Sequence, residues 1–137
     1  MAVDPALTGR TFAAPAPYHV SAEKIAEFAV AIGADPTESP GLAPFTFPMV
    51  VAFGLMGRMM SDPNAGIELR NVVHRDERID QGRPIRAGDV LVGTLTVDGV
   101  RSAAGVDMIA TRTDISTVDG EAVCTATATL VHRGGGA

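Results

Sequence analysis

The sequence predicts an α+β fold in which an antiparallel sheet wraps around a long central helix. Three observations carry that expectation. From Phe47 to Met60 (FPMVVAFGLMGRMM) the only charged side chain is Arg58, and a helix apolar nearly all round is a buried one. Almost everything after Gly66 alternates with the period of two that marks strands. Two Asp-Gly pairs, Asp98-Gly99 and Asp119-Gly120, supply turns between them. One buried helix followed by four strands has a natural solution: the sheet curls around the helix.

Taken in order, residues 1–17 are rich in Ala and Pro and read as an extended lead-in, with a short strand at Tyr18-His19-Val20. Ser21 suits an N-cap, and Glu23 falls in the first turn, where the helix dipole favours negative charge. Ile25, Phe28, Ala29 and Ile32 then form one apolar stripe, and Gly33 ends the helix. Pro36 and Pro40 keep the next segment irregular, and Pro48 opens the second helix. Gly54 and Gly57 lower its propensity, which predicts that a sheet approaches closely there. Strands are expected over about 68–79, 90–98, 106–116 and 121–132. Residues 134–137 (GGGA) read as a disordered tail.

With 137 residues the chain is long enough for one domain with a real core and too short for two, so 1–137 reads as a single domain. The net charge of -5 argues against nucleic acid, whose binding depends on neutralised phosphates. No apolar run approaches the roughly 18 residues of a membrane span, and no basic-then-apolar leader opens the chain. A cytoplasmic protein is the expectation. Cys124 is the only cysteine. It falls on a strand face with Ala122, Ala126, Ala128 and Leu130, and reads as a small buried filler. Nothing calls for a metal or a cofactor.

Several landmarks then occur in order: Gly9-Arg10, Tyr18-His19-Val20, Glu23 to Ala29, Ala43-Pro44-Phe45-Thr46-Phe47, Val72-Val73-His74, Arg83 to Asp89 and Leu130 to Gly134. Together they resemble the MaoC-like acyl dehydratases of the hot-dog fold, most closely the N-terminal MaoC-type domain. That group includes accessory subunits of (3R)-hydroxyacyl-ACP dehydratases. The resemblance implies reversible hydration of a trans-2-enoyl thioester on CoA or a carrier protein. It also implies pairing with a second copy or with a catalytic relative. Such chemistry needs a carboxylate and an imidazole to move the proton of water. It needs backbone N–H donors, as at a helix N-terminus, for the thioester oxygen, and a dry groove for the acyl chain.

Active members of that family carry G-D-x-N-P-x-H. Here Gly33 is followed by Ala34, the carboxylate arrives one position late at Asp35, and the place five beyond it is Pro40. Neither member of the pair stands where the pattern puts it. Asp35 is the candidate relocated base, against the plainer reading that Asp before Pro is turn chemistry. Glu38 offers another carboxylate from the same loop. His74 is the candidate imidazole; simple alternation groups it with Arg70, Asp76 and Arg78 on a polar face. His19 and His132, near the chain ends, read as surface or capping residues. By the resemblance, Gly41, Leu42, Ala43, Pro44, Thr46 and Met49 would bind substrate. Met49, Met56, Met59 and Met60 read as core filling, some of it along an acyl groove.

Four functions compete. The first is a dehydratase subunit that supplies fold and groove while a partner supplies Asp and His. The second is a self-sufficient hydratase using Asp35 and His74. The third is an acyl-CoA thioesterase, which the absence of a carboxylate between Phe47 and Met60 disfavours. The fourth is a non-catalytic acyl-CoA-binding protein.

Overall fold

The computed structural model describes residues 3–133; the tail expected at 134–137 lies outside them. Its elements are β1 (Thr11–Ala13), β2 (Tyr18–His19), α1 (Ala22–Ala31), α2 (Met49–Met60), β3 (Val72–Gln81), β4 (Val90–Ala103), β5 (Val106–Thr117) and β6 (Ala122–Arg133). Short 3-10 turns occupy Pro5–Leu7 and Leu69–Asn71. The strands form one antiparallel sheet in the order β1-β4-β5-β6-β3, and β2 also pairs with β4. The lead-in is therefore not merely extended, because it contributes β1 to an edge. Ser21 caps α1 as expected, its hydroxyl accepting from the Lys24 amide at 3.0 Å.

The sheet curls over α2 and packs Leu95, Val97, Ile109 and Leu130 against Leu55, Met56 and Met59; Ala52 is buried as well. A second cluster gathers at the start of the helix around Phe47, which is fully buried, with Ile25, Ile85, Leu91 and Ile115. Phe28 meets Phe47 edge-on at 5.3 Å. Cys124 fills space there as expected, and burial pushes its thiol up to about 11. The irregular pairing at the start of β6 sets Ala122 apart from that face and leaves it exposed.

Two expectations about glycine change. Asp98-Gly99 does not turn the chain: β4 runs through it to Ala103, with a bulge between Val97 and Gly99. The hairpin turns instead at Ala104 and Gly105, both at positive φ (54° and 78°), as a two-residue type I′ loop requires. The close approach expected at Gly54 and Gly57 is absent, since a Cβ at either would meet nothing within 4 Å. Gly93 on β4 makes the approach, and a Cβ there would lie 2.9 Å from Val51 Cγ1 and 3.0 Å from Leu55 Cδ1.

His132 is not a surface residue. It is fully buried, and its Nε2 accepts from the Glu68 amide at 3.0 Å, which leaves the ring proton on Nδ1 to face Asp107 Oδ2 at 3.3 Å. Asp107 also accepts from the Val3 amide at 3.0 Å and from the Ser102 hydroxyl. One buried carboxylate thus ties the N-terminal segment, the β4–β5 hairpin and the end of β6. Burial alone would raise the Asp107 pKa. The hydrogen bonds from Ser102, Val3 and His132 outweigh it and hold the carboxyl below its ordinary value.

A folded-state pKa below the unfolded one contributes stability that is complete above about pH 4 and lost as pH falls through the lower value. Asp107→Asn should cost about 1–3 kcal/mol at neutral pH. It should also flatten the fall in stability below about pH 4, measured by urea unfolding across pH.

Candidate functional site

The loop where the family pattern would set its catalytic pair is closed on itself. After α1, the Asp35 carboxylate accepts from the Thr37 amide at 2.8 Å and from the Thr37 hydroxyl at 2.6 Å. Those two bonds, the hydroxyl's first, hold the carboxyl below the usual carboxylate value. A carboxylate so held is a poor general base at neutral pH. Asp35 and Glu38 line a hollow of about 220 Å³ with Leu42, Ala43 and Pro44.

The expected substrate-binding residues divide between this hollow and the entry to α2. The Ala43 amide donates to the Ile85 carbonyl, the Gly41 carbonyl accepts from Ala87, and Leu42 bridges to Arg86. The segment is thereby fastened to the β3–β4 connection. Thr46 lies in the turn before α2, and Met49 begins the helix. The amides of Met49, Val50 and Val51 donate to the carbonyls of Thr46, Phe47 and Pro48 at 3.0, 2.9 and 3.1 Å. Those three first-turn donors, which a thioester oxygen would need, are already engaged.

His74 is not on the polar face that alternation gave it. The register of β3 against β6 shifts between His74 and Asp76, a β-bulge that sets Arg75 out of the pairing. One extra residue reverses the alternation, so His74 shares its side with Glu77 instead of Asp76. That side faces α2, where the Phe53 ring meets the imidazole edge-on at 5.8 Å. His74 Nε2 lies 3.0 Å from Glu77 Oε1 and also 3.0 Å from the Asp76 carbonyl oxygen. The neutral ring has one proton to give at that nitrogen, and the bond to the Asp76 carbonyl takes it. Both Glu77 carboxylate oxygens are consequently buried without a hydrogen bond. Burial raises the Glu77 pKa against the lowering influence of His74. No hydrogen bond or ion pair joins Asp35 to His74 among the described residues.

On the opposite flank of α2 lies a cavity of about 410 Å³. Its roof is the strap from Ala13 to Tyr18, one wall is Val50, Val51, Gly54 and Leu55, and the other is Leu91 to Thr94 on β4. The lining is mostly apolar. Arg58 stands at the rim with no ion-pair partner among the described residues. Pattern reading missed this site because its lining comes from three segments far apart in the chain. Its only traces in the chain are the Ala/Pro run at 13–17 and the glycines at 54 and 93. Among the described residues no cluster of His, Cys, Asp or Glu could hold a metal ion, and no helix is long and apolar enough to cross a membrane.

The sequence model described as "FAS1-like, dehydratase domain region" matches residues 6–126. The chain belongs to that family. Its fold is the MaoC-like hot-dog. Curated relatives include UPF0336 proteins of Streptomyces coelicolor, 38% identical over 97% of both chains, and of Leifsonia xyli, 40% identical over 96% of this chain and 97% of the relative. Among solved structures, a MaoC-like dehydratase superposes with a TM-score of 0.81 at 28% identity, over 95% of this chain and 43% of that one. A C-terminally truncated HadBC (3R-hydroxyacyl-ACP dehydratase) complex from Mycobacterium tuberculosis gives 0.78 at 26% identity, over 91% of this chain and 96% of that one.

The landmark Arg83 to Asp89 serves the dehydratase scaffold. The Arg83 guanidinium grips the Asp89 carboxylate with two bonds of 2.9 and 3.1 Å, and the same carboxylate accepts from the Arg86 amide at 2.8 Å. That grip holds the Asp89 pKa below its ordinary value. It closes the connection to which Ala43 is fastened.

Gly93 and Gly54 test the two walls separately. Gly93→Val should destabilise the fold by about 1–3 kcal/mol through overpacking against Val51 and Leu55. Gly54→Ala, with open space around it, should leave stability unchanged or raise it by roughly 0.5–1 kcal/mol. Thermal and urea unfolding of both variants would check the contrast.

Proposed function

We propose that this chain is a subunit of an enoyl-thioester hydratase, or (3R)-3-hydroxyacyl-thioester dehydratase, of fatty acid metabolism. It contributes the scaffold and an acyl-binding cavity, and a partner chain of the same fold contributes the catalytic aspartate and histidine. The observation that carries this reading is the state of the loop before α2. Its carboxylate is bonded back to Thr37, Pro40 occupies the histidine's place, and the helix amides are engaged. The family match and the likeness to a dehydratase complex support it.

In hydration the water oxygen bonds to the β-carbon, a base takes one water proton, and the α-carbon takes up a proton. Hydrogen-bond donors hold the charge that gathers on the thioester oxygen. None of these roles has a placed residue in the Asp35 loop. The cavity beneath the strap fits the remaining requirement, an apolar slot for the acyl chain with one cation at its mouth.

A second reading, hydration by the chain alone, is favoured by the 3.0 Å contact of His74 and Glu77. It stands second because that pair lines none of the cavities described.

Purified alone, the chain should fail to hydrate crotonyl-CoA, followed by loss of enoyl-thioester absorbance. Sustained turnover that disappears in His74→Ala would reverse the order of the two readings. In a separate test, Gly54→Leu should fill the cavity and weaken binding of decanoyl-CoA by roughly tenfold or more in calorimetry, with the fold intact by circular dichroism.

A further inference from the structure

The cavity beneath the strap runs beside α2 from Val50 to Arg58, and its two ends differ. At the Val50 end it abuts Tyr18 and Leu91, which pack with the buried cluster around Phe47. At the other end Arg58 and Ala13 also border an open hollow with Ser61 and Asp62. Among the described residues of the cavity lining, Arg58 alone carries a charge.

That charge is left unanswered. Asp62 is the one acid among the described residues lining the neighbouring hollow, and both its oxygens are engaged. One accepts from the Arg10 guanidinium and the other from the Asn64 amide at 2.8 Å. Arg58 lies in the last turn of α2, where a cation suits the helix dipole. The dipole accounts for a positive charge in that turn. It does not account for a guanidinium set at the open end of an apolar slot without a carboxylate.

The dimensions give the length of the occupant. Val50 and Arg58 are eight residues apart, about 12 Å along a helix axis. A zigzag chain with bonds of about 1.52 Å and angles near 111° advances about 1.25 Å per bond, so about ten carbons span the slot. The last atom of such a chain arrives at Arg58. A methyl end would displace water from the guanidinium and return no hydrogen bond, whereas a carboxylate end accepts two.

We propose that the cavity takes a straight alkyl chain of about ten carbons ending in a carboxylate, which the Arg58 guanidinium holds at the mouth. Two sources share that chemistry: the far end of a dicarboxylic acyl thioester, and the head of a free fatty acid. The proposal rests on the reading of this cavity as an acyl slot and names the class of chain it prefers.

Calorimetry on the full chain compares decanoate with decanol, which offers the same chain and no charge. Decanoate should bind about tenfold tighter, and in Arg58→Gln the ratio should fall to about one. Gly54→Leu should weaken both; unchanged binding would put the ligands elsewhere and overturn the proposal. Circular dichroism checks the folding of each variant. Two CoA thioesters with identical CoA phosphates separate the sources: decanoyl-CoA and the mono-CoA thioester of decanedioic acid. A diacid thioester about tenfold tighter, with the margin lost in Arg58→Gln, assigns the carboxylate to the far end of an acyl chain. Thioesters that bind alike, while decanoate keeps its Arg58-dependent margin, assign it to a free acid. No margin in either pair, or a margin that survives Arg58→Gln, would overturn the proposal and leave the acyl slot in place. If none of the four ligands binds, the acyl-slot reading falls with it.

Discussion

A single sheet can close around only part of one helix, and the rest of this structure follows from that limit. α2 is apolar on nearly all sides, yet the curled sheet covers the arc of Ala52, Leu55, Met56 and Met59 and leaves Phe53, Gly54 and Arg58 exposed. The uncovered arc divides into two flanks. Along one, the strap from Ala13 to Tyr18 stands away from the helix, and the gap is the 410 Å³ cavity. Along the other, β3 ends the sheet beside Phe53 with no strand beyond it among the described residues. The two features with chemical consequence, an apolar slot and a charged edge, occupy the two places where burial of the helix is incomplete.

The residues that hold the fold and the residues of the Asp35 loop are largely separate sets. The core around Phe47 and Leu95, the Arg83–Asp89 clamp and the Asp107–His132 tie hold the fold without using the side chain of Asp35 or Glu38. That loop in turn contributes little beyond Ala43 to the buried clusters. Family likeness in the chain is therefore mostly likeness of scaffold, and it survives where the G-D-x-N-P-x-H pattern is not kept.

What the sequence made legible were the features whose signals are local. The Ser21 cap, the long apolar run of α2, the Asp119-Gly120 turn and the alternation of β5 and β6 each announce themselves within a few residues. What it hid depended on long-range register. The bulge at Arg75 leaves no mark in VVHRDERID, yet it turns Glu77 toward the helix and takes His74 off the face it was given. The β4–β5 hairpin turns at Ala104-Gly105, and Ala lacks the Asn or Asp signal of that turn, so Asp98-Gly99 drew the expectation instead. Gly54 and Gly93 look alike on the page, but only the strand glycine faces a crowded neighbour. His132 lies near the chain end and looked peripheral. Its burial follows from Asp107 and Glu68, residues 25 and 64 positions away.

The bulge in β3 has two effects that pull in the same direction. An exposed edge strand invites indiscriminate pairing, and inward-pointing charges and bulges are the usual protections. Here one irregularity supplies both: it sets Arg75 out of the ladder and brings Glu77 to the inner side, where the carboxylate is desolvated. Both effects work against indiscriminate pairing at an edge that the geometry of a single sheet leaves open.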